Sequence, residues 1–353
     1  MVERGAPSHE GAAVVDLFAG PGGWDCAARE LGIETVGIEW DAAACATRAA
    51  AGFATIRADV AQYPVEPFVG KVEGLIASPP CQDFSVAGRG AGRAGEKGKL
   101  IDEVPRWVAA LLPEWVACEQ VPPCEAIWHE HAQGYEALGY KTWVGVLNAA
   151  DYGVPQTRRR AILLAHRDRQ PVPPEPTHAK DSGGLVPLLP WVSMAEALGW
   201  GLEDRPSFTV MAGGAETGGA EPFGRHARAV LHTNRGQDED GNRQTREPSA
   251  PAPALTAKAG GQWAWGRPAT RIVGSFCPDV VAGPGYRTET PRQDAEGSIK
   301  ITLRDALILQ SFDPDYPVRG SKTKSFEQVG NAIPPLLARH VLAVPLSPGD
   351  ATR

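Results

Sequence analysis

The chain has 353 residues, 42% hydrophobic and 22% charged, with a formal net charge of −7. That length and balance describe a globular enzyme of about two domains, or one large domain carrying an insertion. A uniformly basic nucleic-acid coat is excluded, but a local basic groove is not. In chain order, residues 12–18 read as a strand, 24–31 as a helix and 34–40 as a strand. Further strands are expected at 53–57, 74–77, 115–118, 141–147 and 160–165, with helices at 101–112 and 125–138. Alternation at this spacing predicts a parallel sheet covered on both faces, with ligands beyond the carboxyl ends of its strands. Pro171, Pro173, Pro174 and Pro176 make a stiff linker. Beyond it, roughly 181–296, the chain is rich in Gly, Pro, Arg, Gln and Asn and only weakly periodic. Residues 206–214 (PSFTVMAGG) echo 253–261 (PALTAKAGG), which we read as two similar strand–turn units in a small, mostly β insertion. Helical patterns return at 302–310 and 335–342 and should dock back on the first domain.

No apolar run approaches the roughly 18 residues of a membrane span. The first residues lack the basic-then-apolar layout of a secretion signal. Cys26, Cys45, Cys81, Cys118, Cys124 and Cys277 form no CxxC pair, so we expect a reducing, cytoplasmic setting and no metal site.

Several segments carry chemistry. Asp16-Leu-Phe-Ala-Gly-Pro-Gly-Gly23 follows a strand and opens a helix, where glycines let backbone approach a ligand closely. Glu39 ends the next strand, 19 residues after Gly20, a place suited to ribose hydroxyls. With Asp59 after the third strand, the set favours an adenosine-type cofactor over a plain turn. Ser78-Pro-Pro-Cys-Gln-Asp-Phe-Ser85 presents Cys81 at the sheet edge on a restricted backbone, either as a nucleophile or as an inert small side chain. Residues 88–99 (GRGAGRAGEKGK) read as a mobile basic loop able to close over an anion. Glu119, after the strand at 115–118, could donate to a ring nitrogen or form a strand-end salt bridge. In Gln156-Thr-Arg-Arg-Arg160, alternation places Arg158 and Arg160 on one face, suited to a phosphate or a carbonyl oxygen.

The order DLFAGPGG, IEWD, SPPCQ, EQV, QTRRR and VGNAIPP closely resembles the cytosine-C5 DNA methyltransferase family of prokaryotic or phage type, over nearly the whole chain. The resemblance implies an α/β fold. A Rossmann-like large domain with a mostly parallel sheet would bind S-adenosylmethionine (AdoMet). A small, mainly β target-recognition domain would be inserted before the C-terminal helix. The catalytic domain would comprise 1–180 and 318–353, the recognition domain 181–300, and a returning hinge 301–317. Phe18, Gly20, Gly22 and Gly23 match the cofactor loop, Glu39 the ribose acid, Trp40 the aromatic flanking the adenine, and Asp59 and Val60 the adenine-edge pair. Pro80, Leu100 and Asn331 fall at further cofactor-contacting places. Cys81 matches the nucleophile, Glu119 the acid on the target base, and Arg158 and Arg160 the arginines near them. Gln82, Ser85, Arg89 and Arg93 would meet DNA from the catalytic side, and Arg225, Arg235 and Arg243 from the insertion.

What the resemblance implies is methyl transfer from AdoMet to C5 of a flipped-out cytosine in a specific duplex DNA sequence, through a Cys81–C6 adduct. The implied partners are double-stranded DNA and, in a restriction–modification setting, a separate cognate endonuclease; a monomer is the family default. The chain departs from the family at Gln120, where Asn is usual, and at Asp305, where Glu is usual. RNA as substrate, or a catalytically silent DNA-binding module, are the competing readings. The Arg-, Gln- and Gly-rich insertion favours DNA over RNA, and the intact Cys81, Glu119 and Arg160 set favours catalysis.

Overall fold

The computed structural model describes residues 14–84, 92–180, 188–198, 230–237, 243–246, 252–253, 263–266, 299–300 and 302–347. Its centre is a sheet of seven strands: β1 (Val14–Leu17), β2 (Thr35–Glu39), β3 (Ala54–Arg57), β4 (Gly74–Ala77), β5 (Trp115–Gln120), β6 (Lys141–Asn148) and, after the short β7 (Gln156–Thr157), β8 (Arg159–His166). Their spatial order is β3-β2-β1-β4-β5-β8-β6. Pairing is parallel from β3 through β5, whereas β8 runs antiparallel to both β5 and β6. The expected parallel sheet is therefore mostly, not wholly, parallel. The start of β8, not its end, lies at the edge where β1, β2, β4 and β5 terminate.

Period-two alternation decides how this sheet is covered. Val15, Leu17, Leu75, Ala77, Val116, Cys118, Ala161 and Leu163 face one side. They pack there against Val104, Trp107, Val108 and Leu111 of α3 (Glu103–Leu111) and against Trp128, Ala132 and Tyr135 of α4 (Glu125–Ala137). Val14, Ile76, Trp115, Ala117, Ile162 and Leu164 face the other side. They meet Trp24, Ala27 and Ala28 of α1 (Gly23–Glu30) and Leu337, Val341 and Leu342 of α8 (Pro335–Leu346). Burying each large apolar side chain contributes about 1.5–3 kcal/mol, so a one-residue slip of a central strand would exchange both faces at once.

Two helices longer than one turn lie outside the sequence expectations, as does the single-turn α5 (Met194–Ala197). α2 (Ala42–Ala50) starts at Asp41, whose carboxylate accepts from the backbone N–H groups of Ala43 and Ala44. Asp41 thereby supplies the N-cap that an alanine-rich segment without apolar periodicity needs. α7 (Lys322–Asn331) starts at Ser321, whose side chain accepts from Lys324 N–H. Between them in the chain, α5 (Met194–Ala197) and α6 (Leu303–Leu309) join α7 in a separate apolar cluster around Met194, Leu307, Leu309 and Phe326. At Asp305 the shorter acid still completes a capping box with Thr302, so Glu is not needed there for helix initiation.

After the central sheet, β9 (His178–Ala179) pairs with β10 (Leu189–Pro190). β11 (Val230–Gln237), β12 (Arg243–Arg246), β14 (Trp263–Gly266) and β15 (Ile299–Lys300) form an antiparallel sheet in the order β12-β11-β14-β15. β13 (Ala252–Pro253) pairs instead with β7 of the first domain. The echo at 206–214, and 254–261 of its counterpart, lie outside the described residues.

Beneath β1 and β2 the fold buries a charge pair. Arg48 of α2 and Asp25 of α1, both fully buried, meet through two hydrogen bonds of 2.6 and 2.8 Å. Thr35 Oγ1 also donates to Asp25, and the Arg48 guanidinium donates to Ala19 O, Ala54 O and Thr55 Oγ1. Gly37 of β2 lies over this guanidinium; a Cβ there would sit 2.1 Å from Arg48 Nη2. Burial pushes the Asp25 carboxyl up, but Arg48 and Thr35 outweigh it and hold it below its ordinary range. Burial lifts the neighbouring Asp16 well above its ordinary value, with the Asp25 charge adding to the effect. Removing one partner of such a pair strands the other's charge. Arg48→Met is expected to destabilise the protein by about 3–5 kcal/mol, read as a lower urea midpoint at unchanged slope. A loss under about 1 kcal/mol would show that Asp25 finds another partner.

Candidate active site

A cavity of about 550 Å³ opens at the carboxyl edge of the sheet, beside β1, where the chain order passes from β2 and β3 on one side to β4 and β5 on the other. Open α/β sheets bind ligands at such switch points. Phe18, Gly20 and Gly23 of the β1–α1 loop line it. Phe18 holds a left-handed backbone (φ 58°), as do Gly20 and Gly22; such strain in a non-glycine residue persists only where its surroundings over-determine it. Gly22 is not on the wall; it faces the Phe53 ring at the start of α1. Gly23 has a different constraint, since a Cβ there would lie 2.4 Å from Ile333 O. The turn between α7 and α8 thus rests directly on the glycine loop, and Tyr316 Oη donates to Pro21 O at 2.5 Å to seal the same junction.

Glu39 ends β2 with its carboxylate accepting from Gly20, Trp40 and Asp41 N–H at 2.7–2.9 Å. Burial raises its proton affinity, and those three N–H groups oppose the rise. Trp40 leaves 66% of its surface exposed on the cavity rim, an unusual placement for an indole unless a flat partner covers it. Asp59, Val60, Pro80, Leu100 and Asn331 complete this end. Asp59 Oδ1 accepts from Ala61 N–H, and Val60 O accepts from Arg106 and Trp107. Lys324 bridges Asp41 and Glu327 at 3.1 Å each, tying α7 to the β2–α2 turn; sequence reading passed over this contact. An acid fixed at a strand end, an uncovered indole and a glycine loop fit the ribose, base and chain of an adenosine-type cofactor.

At the other end, Ser78, Pro79, Pro80, Cys81 and Gln82 line the cavity with Glu119, Gln120 and Arg160. β5 runs two residues further than expected, through Glu119 and Gln120, and these pair with Ile162 and Ala161 of β8. That register places Arg160 beside Glu119, its Nε donating to Oε1 at 2.6 Å with both side chains largely buried. Glu119 Oε2 accepts from Ser78 Oγ at 2.9 Å, and Ser78 Oγ accepts from Trp24 Nε1 at 2.9 Å. Neither Trp24 nor Ser78 was singled out from sequence, although Ser78 opens the Pro-Pro-Cys motif. Gln120 Nε2 donates to Pro79 O and its Oε1 accepts from Val121 N–H. The longer amide therefore hooks the cysteine loop onto β5. Gln82 Oε1 is buried with no hydrogen-bond partner among the described residues.

Burial pushes the Cys81 thiol above its ordinary value; Arg160 and, more weakly, Arg158 pull it down, and Glu119 raises it further. Arg158 itself does not line the cavity. Fully buried, it donates through Nη2 to Gly330 O and Ala332 O at the end of α7, while it turns inward like Arg160, with Arg159 exposed between them, and stays within electrostatic reach of Arg160, Glu119 and Cys81. Arg93 also lies off the wall, in ion pairs with Asp102 and Glu130. Ser85, Arg89 and Arg225 lie outside the described residues, as do the side chains of Arg235 on β11 and Arg243 on β12. Of the expected mobile loop, 88–91 is likewise outside them. Asp83 Oδ2 ties its later part by accepting from Lys97 and Gly98 N–H. Among the described residues, no helix is long and apolar enough to cross a membrane. Glu114, His166 and Asp168 converge far along the sheet from this cavity, but Arg169 already donates to the His166 ring.

Comparison with known proteins agrees with this geometry. A family model described as C-5 cytosine-specific DNA methylase matches residues 12–195, just over half of the chain. The Type II methyltransferase M.NgoFVII of Neisseria gonorrhoeae is 27% identical over 94% of this chain and 86% of its own length. M.AquIA of Picosynechococcus sp., also a Type II methyltransferase, is 32% identical over 47% of this chain and 76% of its own. Two solved structures share the fold. The Entamoeba histolytica methyltransferase EhMeth has a TM-score of 0.58 at 12% identity, covering 94% of this chain and 97% of that one. The Dnmt2 methyltransferase of S. pombe has a TM-score of 0.56 at 15% identity, with the same coverage.

The electrostatics around Cys81 lead to a measurable outcome. In the free protein, alkylation of Cys81 by iodoacetamide, scored against Cys81→Ala, is expected to keep rising with pH past the ordinary thiol value of 9.0. Glu119→Gln removes a charge that opposes ionisation, so it should move the midpoint down. A midpoint below 9.0 in the unmodified protein would contradict the burial argument.

Proposed function

The chain belongs to the C-5 cytosine-specific DNA methylase family, and from that premise we propose that it methylates C5 of a cytosine flipped out of duplex DNA, using AdoMet and a covalent Cys81 adduct. The observation that carries this reading is the shared cavity. Cys81 and the Glu119–Arg160 pair line one end, and Glu39 and Trp40 line the other.

C5 of cytosine is a poor nucleophile while the ring is aromatic. Extruding the base from the stack costs about a few kcal/mol and brings it to the Cys81 end. The Cys81 thiolate attacks C6, breaking the aromaticity. Glu119 protonates or hydrogen-bonds N3, so negative charge does not accumulate on the ring. Arg160, held by Glu119, steadies the O2 side. Bound AdoMet supplies an electrophilic methyl group to the activated C5. Loss of the C5 proton, return of the N3 proton to Glu119 and departure of Cys81 from C6 as a thiolate then restore the ring as 5-methylcytosine. Glu39 would hold the ribose, Trp40 would cover the adenine, and Asp59, Val60, Pro80, Leu100 and Asn331 would enclose the remainder of the cofactor. Arg158 acts from beneath by fixing the turn that carries Asn331.

The antiparallel sheet of β11, β12, β14 and β15 supports the division into a catalytic part, 1–180 with 318–353, and a recognition part, 181–300, joined by the hinge at 301–317. Arg225, Arg235 and Arg243 are its candidate readers, and Gln82, Ser85, Arg89 and Arg93 the candidate DNA contacts of the catalytic part. The Type II names of the relatives favour a restriction–modification setting with a separate endonuclease.

Bisulfite sequencing of mixed-sequence duplex DNA after incubation with AdoMet tests the proposal. Protected cytosines should appear in one short context and vanish with Cys81→Ala, while AdoMet binding by that variant stays within a few-fold. Glu119→Gln should lower the rate by about two orders of magnitude or more. Protection that survives Cys81→Ala would remove the covalent step, and labelled transfer RNA without labelled DNA would move the substrate to RNA.

A further inference from the structure

Glu119 meets the protein through both of its oxygens, and only one of the two contacts comes from the arginine motif. Arg160 Nε reaches Oε1 at 2.6 Å, and Ser78 Oγ reaches Oε2 at 2.9 Å. The direction of the second contact is fixed by its neighbour. An indole N–H can only donate, so Trp24 Nε1, 2.9 Å from Ser78 Oγ, occupies an acceptor position of the hydroxyl. The single hydroxyl hydrogen of Ser78 is left for Glu119. Ser78 is itself anchored, its N–H donating to Leu17 O at the end of β1. Trp24 is nearly buried in α1, so the donor at the head of the chain cannot swing away.

We infer that Ser78 is a positioning residue for Glu119, and that Trp24→Ser78→Glu119 is a hydrogen-bond relay that strengthens as Glu119 gives up its proton to the base. The inference rests on the proposed function. Glu119 enters that step protonated: the sulfur–C6 bond forms as the C5–C6 π bond opens and its electrons shift through C4 to N3, the Glu119 O–H bond breaks as the N3–H bond forms, and the negative charge of the thiolate ends on the Glu119 carboxylate. Hydrogen bonds to an ionised carboxylate are roughly twice as strong as those to a neutral carboxyl. Ser78 therefore stabilises the state after proton transfer more than the state before it. Contacts that grow in this way raise kcat rather than tighten binding. The relay also joins α1, which starts at the cofactor loop, to the acid on the base side.

Ser78→Ala should lower kcat about ten- to hundredfold, with KM for DNA and for AdoMet within about threefold. Ser78→Thr, which keeps the hydroxyl, should recover most of that loss, and thermal unfolding should report a folded protein in each case. The discriminating measurement is the background. In Glu119→Gln the further effect of Ser78→Ala on kcat should shrink to within about threefold, because the two residues act as a unit. The Glu119 carboxyl band, assigned by infrared difference against Glu119→Gln in the substrate-free protein, should shift in Ser78→Ala and in Trp24→Phe. An unchanged kcat in Ser78→Ala, an equal loss in both backgrounds, or an unshifted band would each overturn the inference. DNA left unmethylated by the unmodified chain would instead overturn the proposed function, and the infrared band would still decide the Ser78 contact.

Discussion

The antiparallel pairing of β8 with β5 is the constraint on which the site depends. It brings two strand termini of opposite direction to one edge, and its register sets Arg160 against Glu119. A buried ion pair is poor evidence for stability, since desolvation offsets much of its Coulomb gain. Here it serves geometry. Each partner limits the rotamers of the other, and Ser78 and Gln120 bind the cysteine loop to the same strand end. Had β8 been parallel, its arginines would have emerged at the opposite edge.

The second half of the arrangement comes from the far end of the chain. The turn between α7 and α8 contributes its carbonyls to buried donors: Gly330 and Ala332 to Arg158, and Ala332 also to Gln310. Gln310 in turn accepts from Gln156, which precedes Arg158 by two residues. One face of this turn is thus locked to the segment leading into β8, while Ile333 presses on Gly23 of the first loop. The end of α7 that carries Asn331 and the segment leading into Arg160 are thus held by a common set of polar contacts.

Much of this was legible in the residues. β1, β2, β4 and β5 announce themselves as short apolar runs, and the residues that punctuate their ends are those that line the cavity. The direction of β8 was not legible, because side-chain periodicity is the same for parallel and antiparallel strands. α2 escaped because alanines give no apolar stripe, and α7 because only Phe326 and Val329 of its buried face are large and apolar, the rest being Ser325, Gln328 and Gly330. Arg158 and Arg160 look equivalent by spacing and both turn inward, yet only Arg160 lines the cavity, while Arg158 donates to Gly330 O and Ala332 O. Ser78 opened a quoted motif and Trp24 began an expected helix, but their link spans 54 positions and exists only after folding.

The guanidinium of Arg48 beneath Gly37 has a historical consequence. A methyl group at position 37 would collide with Arg48 and also come within 2.7 Å of Ala19 Cβ. Shortening Arg48 first would leave Asp25 without its countercharge. None of the three positions can change alone without passing through a poorly folded intermediate sequence. Descendants of this chain should therefore keep Gly37, Arg48 and Asp25 together or exchange them together.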